Sequence, residues 1–219
     1  MKKNIKRIMA YIYMPLFFVI LGYGIVYIAA RPVIDTISSV ASIFISDKPP
    51  VFSDITVTSI FEAPKEDVGD VIPESEVKIP SYGEHYANIT CERIGLSAEI
   101  CYGDSYSILR KNVGHYAGSS FPGYGKPIML AAHRTQHFFP LKDAVVGDII
   151  TITTSYGVYE YEVTDIQIRD KNDKTAYNLN QDKEQLIMYT CYPFVFLADS
   201  QNRYFVYADK ISGPTIQED

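Results

Sequence analysis

From about His85 to the C-terminus the sequence predicts a mainly β fold whose sheet bends toward closure. Two observations carry that prediction. Short apolar or alternating runs succeed one another, separated by turn residues. In the longest run the apolar parity switches from Tyr159, Tyr161 and Val163 to Ile166 and Ile168, as a bulge or a barrel bend requires. A third observation, an uncharged N-terminal stretch, predicts that a membrane helix precedes this domain.

Residues Ile8 to Ala30 form 23 consecutive positions without a formal charge. That length crosses about 30 Å of hydrocarbon as a helix. Lys2, Lys3, Lys6 and Arg7 precede the stretch and only Arg31 comes directly after it, so the charge bias puts the N-terminus in the cytoplasm and the later residues outside. Residues 1–31 are thus read as a basic tail and single transmembrane anchor of the cell membrane. A cleaved signal peptide fits less well, because its apolar region runs about 7 to 15 residues. A buried core helix would not be apolar on every side.

Residues 32–84 read as a juxtamembrane helix and an extended linker. Ile34, Ile37, Val40, Ala41 and Phe44 make a helical stripe, and the linker after it holds Pro49, Pro50, Pro64, Pro73 and Pro80 among scattered acids. Residues 85–219 are the folded domain. With 47 % hydrophobic and 21 % charged residues the chain has the composition to bury one core. The first 31 residues hold five positive charges and no acid, so the remainder is five units more negative than the chain's net −6. Such a domain lacks the clustered cations that displace phosphate counterions, which excludes nucleic acid as a partner.

Within the domain, Ala87–Glu92 and Ala98–Tyr102 flank a turn around Gly95, and Ser105 to Asn112 read as a short helix with a Ser cap. The run Pro127-Ile-Met-Leu-Ala-Ala132 is an apolar strand leading straight into His133. Ile149–Thr154 and Tyr156–Ile168 are joined by a turn at residues 155–157, and Gln185–Thr190 and Arg203–Lys210 are the last strands.

Cys191 ends an apolar strand and opens an eleven-residue connection, whereas Cys91 and Cys101 lie inside a hairpin and read as packing residues. A hairpin symmetric about Leu197 sets Cys191 directly opposite Arg203, close enough for a thiol and a guanidinium to share one face. His133 leaves another strand in the same manner. A reactive thiolate needs a nearby base or cation, and acyl transfer needs donors for the developing oxyanion, so one His and one Arg meet both needs. Taken singly, each residue also fits an inert role: a packed cysteine, a core histidine, a surface cation. No pair of Cys or His has the spacing of a zinc site, so no metal is assigned. His85, His115 and His137 are read as structural. Cys91 and Cys101 stand opposite each other if their hairpin turns about Leu96, which leaves a cross-strand disulfide or two buried free thiols; demanding S–S geometry favours the thiols.

These segments resemble the sortase family. Its hallmark is a Thr-Leu-x-Thr-Cys strand end, an Arg on the next strand about a dozen residues on, and an upstream His after an apolar strand. Here the counterparts are Ile187-Met-Tyr-Thr-Cys191, Arg203-Tyr-Phe-Val-Tyr and Leu130-Ala-Ala-His133-Arg134, with further matches in Gly114-His-Tyr116, Phe138-Phe-Pro-Leu-Lys142 and Val146-Gly-Asp-Ile-Ile150. Tyr192-Pro193-Phe194 is most similar to class D, with class B second. The first Thr and the Leu of the hallmark are replaced by Ile187 and Met188, so contacts they make in relatives do not carry over. Residues 48–86 hold no Asp-Pro-aromatic lid motif and no second span comes after the domain, both usual in pilin-polymerising members.

The resemblance implies a closed eight-stranded β-barrel with short helices. It implies a transpeptidase in which Cys191 attacks the Thr carbonyl of a Leu-Pro-x-Thr-Gly-like or Leu-Pro-x-Thr-Ala-like signal, His133 protonates the leaving amine and Arg203 holds the oxyanion or peptide backbone. Thr190 and Tyr192 would contact substrate. The implied partners are secreted proteins with such a C-terminal signal and an amine from a peptidoglycan precursor or another protein; no cofactor is implied, and calcium dependence is left open. A papain-like peptidase is disfavoured because its Cys precedes its His, whereas here His133 precedes Cys191. A tethered, non-catalytic barrel that binds wall polymer or peptide is the other alternative.

Overall fold

The computed structural model describes residues 13–14, 16–24, 59–62, 69–196 and 199–217. Residues 13–14 and 16–24 are helical and belong to a unit separate from the barrel. No helix among the described residues is long and apolar enough to cross a membrane. The expected span over residues 8–30 and the helical stripe of residues 34–44 lie partly or wholly outside the described residues.

The barrel unit contains the strands β1 (Val71–Pro73), β2 (His85–Cys91), β3 (Leu96–Tyr102), β4 (Val113–His115), β5 (Ile128–Ala131), β6 (Ile149–Thr154), β7 (Gly157–Asp170), β8 (Gln185–Tyr192), β9 (Asn202–Ser212) and β10 (Thr215–Gln217). Eight of them close into a barrel in the order β2-β3-β4-β5-β8-β9-β7-β6, while β1 and β10 form a separate parallel pair. Ile72 and Val77, upstream of the barrel's first strand, are buried with its core, so the Pro-containing segment before His85 is partly packed.

In the closed barrel alternate side chains of a strand point inward. Ile89, Ile100, Ile128, Leu130, Ile150, Ile152, Leu186 and the rings of Tyr159 and Tyr161 fill the interior and are fully buried. The parity switch in β7 is a register shift between Val163 and Asp165 in its pairing with β9, and a second shift lies at Glu160/Tyr161. Each inserts bend and twist where the sheet must curve.

The run Leu186-Ile187-Met188 is apolar without alternation because β8 is covered on both faces. Leu186 and Met188 join the interior, whereas Ile187 packs outside with Met129, Ala176, Phe205 and Tyr207. Ala176 belongs to the β7–β8 connection, which lies over this outer face.

The β2–β3 hairpin turns through a 3-10 segment at Glu92–Ile94 and Gly95, whose φ of 66° suits glycine. This centres the hairpin nearer Arg93 than Leu96 and corrects the expected facing of the two cysteines. Cys91 pairs with Leu96 and Cys101 with His85, and both cysteines are buried free thiols. The predicted helix is a single turn, Tyr106–Leu109, after Ser105, whose side chain makes no cap bond.

His115 is fully built into the fold. Its Nδ1 lies 2.6 Å from the Tyr86 hydroxyl and its Nε2 2.9 Å from the Ser119 hydroxyl. Ser119 gives its own proton to the Tyr116 carbonyl at 2.8 Å, so Nε2 carries the imidazole hydrogen and Nδ1 accepts from Tyr86. Burial pushes His115 down to about 4. Because the unfolded imidazole takes a proton near pH 6.5, the stability this residue contributes is complete above 6.5. It is lost as the pH falls toward 4, by on the order of 3 kcal/mol. Urea unfolding of wild type and His115→Gln between pH 7 and 4.5 should therefore show a shallower pH slope in the variant; equal slopes would contradict this burial argument.

Candidate active site

The site is built on the ends of three adjacent strands. Cys191 pairs directly with Arg203 across β8 and β9, so their Cβ atoms are about 4.5–5.5 Å apart on one face. Because Ile187 and Phe205 face outward, parity puts Tyr189, Cys191 and Arg203 on that same outer face. β5 runs parallel to β8, with Ala131 beside Tyr189 as their last pair. One residue further the Thr190 hydroxyl donates to the Ala132 carbonyl at 2.7 Å. His133 is the next residue, at the level of Cys191.

His133 is half-buried, and its ring meets the Tyr106 ring edge-on at 6.4 Å. Its side chain makes no hydrogen bond among the described residues, so both ring nitrogens are unengaged. Burial holds its pKa below the ordinary histidine value, which keeps the imidazole neutral at pH 7. The backbone around it is fixed: the His133 carbonyl accepts from the N–H groups of Gln136 at 3.1 Å and Phe138 at 3.4 Å. His137 Nε2 donates to the Lys111 carbonyl at 2.6 Å, joining this turn to the segment before β4.

Arg203 Nη1 donates to the carbonyls of Ser200 at 2.9 Å and Asn202 at 3.1 Å. Arg134 donates to the Ser200 hydroxyl. Ser200 therefore links the residue after His133 to the residue opposite Cys191. Neither Arg134 nor Ser200 stands out in the sequence; the one available signal is the adjacency of Arg134 to His133.

Two expected substrate contacts fare differently. Thr190 is 2 % exposed and its hydroxyl is committed to Ala132, so it ties two strand ends together and is not open to a ligand. Tyr192 is half-buried and stacks on Tyr204 at 6.2 Å, with Phe194 edge-on to Tyr204 at 5.1 Å. The other cysteines are poor nucleophiles: burial pushes the Cys101 thiol up to about 12 and raises Cys91 as well. Among the described residues no group of three or more His, Cys, Asp or Glu could hold a metal ion.

A half-buried thiol flanked by a neutral imidazole and a guanidinium has the parts for acyl transfer: a nucleophile, a proton carrier and an oxyanion donor. Known proteins share this fold. The sortase domain family model matches residues 89–211. Sortase D of Bacillus subtilis (strain 168) is 32 % identical over 133 residues, which cover 61 % of this chain and 67 % of that protein. A Clostridium perfringens sortase D5 transpeptidase structure superposes with a TM-score of 0.55 at 29 % identity, covering 64 % of this chain and 84 % of that one. Sortase C from Clostridium perfringens SM101 gives 0.54 at 25 % identity, covering 60 % and 72 %. The chain belongs to the sortase family and is a sortase-type cysteine transpeptidase. Within that family its likeness is to class D.

If the Thr190 hydroxyl sets the spacing of the β5 and β8 ends, Thr190→Val leaves the Ala132 carbonyl unpaired and costs about 1–3 kcal/mol. Urea unfolding should show that loss, turnover should fall with it, and Thr190→Ser should recover both. Native turnover in the valine variant would separate this bond from the positioning of His133.

Proposed function

We propose that this transpeptidase cleaves a Leu-Pro-x-Thr-Gly-like or Leu-Pro-x-Thr-Ala-like sorting signal after its Thr and passes the acyl group to an amine. Secreted proteins would thereby be attached to the cell wall, by an enzyme whose N-terminal helix anchors it in the membrane with the barrel outside. The observation that carries the reading is the Cys191–Arg203 pair with His133 at the same level, two residues beyond the end of the neighbouring strand β5. The uncharged stretch from Ile8 to Ala30 supports the anchoring.

In this reaction the Cys191 sulfur attacks the Thr carbonyl while its proton passes to neutral His133. The new C–S bond places negative charge on the carbonyl oxygen, where Arg203 donates. As that oxyanion collapses the peptide C–N bond breaks, and His133 returns the proton to the departing amine. An incoming neutral amine then attacks the thioester, gives its surplus proton to His133, and expels the thiolate. Between the two steps the acyl group is held only by sulfur.

Cys191→Ala should abolish both cleavage and exchange with the fold intact; residual turnover above the enzyme-free rate would reject its nucleophilic role. Arg203→Lys separates two functions of the cation, because lysine keeps the charge and loses the planar fork. Losing an oxyanion donor should lower kcat on the order of 10²- to 10³-fold with a smaller change in KM. Near-native turnover in the lysine variant would leave Arg203 only a field effect. Since His133 works as a base from a depressed pKa, the acid limb of kcat/KM belongs below pH 6.5. An acid limb at pH 7 or above would contradict that role.

A further inference from the structure

On the other flank of Cys191 from Arg203 lie two polar groups, one on a wall beside β4 and one on β8, with no hydrogen-bond partner among the described residues. Gly114 in β4 pairs with Ala131 in β5, which in turn lies beside Tyr189 in β8. These residues form one row across the outer face, next to the row of His133, Cys191 and Arg203. A Cβ on Gly114 would meet the Gly103 carbonyl oxygen and a Leu109 methyl, both at 2.7 Å, and the Asp104 Cα at 3.2 Å. The absent side chain therefore lets residues 103–109 lie directly on this face as a wall. The same wall carries Tyr106, whose ring touches His133.

Asp104 in that wall is half-buried, and its carboxylate makes no hydrogen bond or ion pair among the described residues. Tyr189 across the row is held by stacking on Phe205 at 5.5 Å and 23°, and its hydroxyl likewise has no hydrogen-bond partner among them. Burial raises the Tyr189 phenol pKa, Asp104 raises it further, and Arg203 lowers it. Strand order separates the two flanking charges. Asp104 stands over β4, beyond His133, while Arg203 stands on β9, so Cys191 lies between an anionic flank and a cationic one.

Resting on the transpeptidase reading above, we propose that Asp104 and the Tyr189 hydroxyl form the docking site for the ammonium group of the amine that resolves the acyl-enzyme. The carboxylate attracts the cation and the phenol oxygen accepts a hydrogen bond from it. After the ammonium loses one proton to solvent, the amine nitrogen is on the His133 side of the thioester. It attacks the carbonyl carbon; the C–N bond forms, the C–S bond breaks with its electron pair on Cys191, and His133 takes the surplus proton. The carbonyl oxygen stays on the Arg203 side throughout. The substrate class is a primary amine that is cationic in solution, and an uncharged amine gains nothing from Asp104.

The test compares two nucleophiles in the full-length enzyme near pH 7.5: an aminoacyl peptide amine, protonated in part or wholly, and hydroxylamine, which is neutral there. Acyl-enzyme formation from the sorting peptide is measured first by mass. Its absence in wild type would sink the transpeptidase reading and not this inference. In Asp104→Asn the acylation rate should be native, the KM for the cationic amine should rise about fivefold, and the product ratio should shift from amide toward hydrolysis. The KM for hydroxylamine should be unchanged. Tyr189→Phe should show the same selectivity with a smaller amplitude, and Asp104→Glu should restore the preference for the cation. Unchanged KM for both nucleophiles, an equal rise for both, or a fall confined to acylation would each overturn the proposal.

Discussion

β8 is paired on both sides, parallel to β5 and antiparallel to β9, and its register decides which chemistry this barrel can present. Side chains alternate, so a slip of one residue would turn Cys191 inward and expose Leu186 and Met188. Both ends of β8 are pinned. At its start the buried Glu184 accepts from the N–H groups of Gly123 at 3.0 Å and Gly125 at 3.1 Å and from the Tyr161 hydroxyl at 2.7 Å, with Lys210 Nζ 3.5 Å away. A carboxylate removed from water is tolerable only with such a set of donors, which makes its position specific as well as costly to disturb. At its end Thr190 is bonded to Ala132. Between these two pins the apolar residues have no freedom to choose their face.

With the register fixed, the surroundings of otherwise similar groups assign their roles. His115 has both ring nitrogens engaged and is locked neutral by full burial, so it serves as a packing element with two hydrogen bonds. His133 is also neutral, yet its nitrogens are unengaged among the described residues and it stands where a strand runs out of partners. The cysteines divide in the same way. Cys91 and Cys101 are sealed inside a hairpin, where the thiolate is penalised, while Cys191 is half-buried at the rim beside a guanidinium. Reactivity derives from position at a strand end more than from residue type.

The readable parts of the sequence are those with a period or a symmetry. Alternation locates the strands, the parity switch in β7 locates a real register shift, and the loop midpoint at Leu197 puts Cys191 opposite Arg203. Pairings too short to show a period are not readable. β4 has three residues, and β1 and β10 meet in parallel across the length of the domain. The hairpin of Cys91 and Cys101 is mis-centred in the sequence because its 3-10 turn does not announce where the ladder ends. The bond from Thr190 to Ala132 is not readable either, because the parallel neighbour β5 that supplies the carbonyl is more than fifty residues upstream. Ser200 and Arg134 form a link between two connections, and no local pattern encodes it.

The arrangement also separates rigid parts from variable ones. Cys191 and Arg203 sit on neighbouring strands whose mutual position is set by ladder hydrogen bonds, and His133, two residues beyond the end of β5, is brought to their level next to the Thr190–Ala132 bond. The walls are different: residues 103–109 on one side, and the β7–β8 connection with Ala176 and Leu179 on the other. They lie on the outer face and carry none of Cys191, His133 and Arg203. Changes in those walls alter what can lie against Tyr189 and Phe205 without moving Cys191, because the barrel interior fixes Leu186, Met188 and Val206 independently. The outer covering and the strand ends that carry Cys191 and Arg203 are therefore held by different contacts, the covering by the outer cluster and the strand ends by the ladder and the inner core.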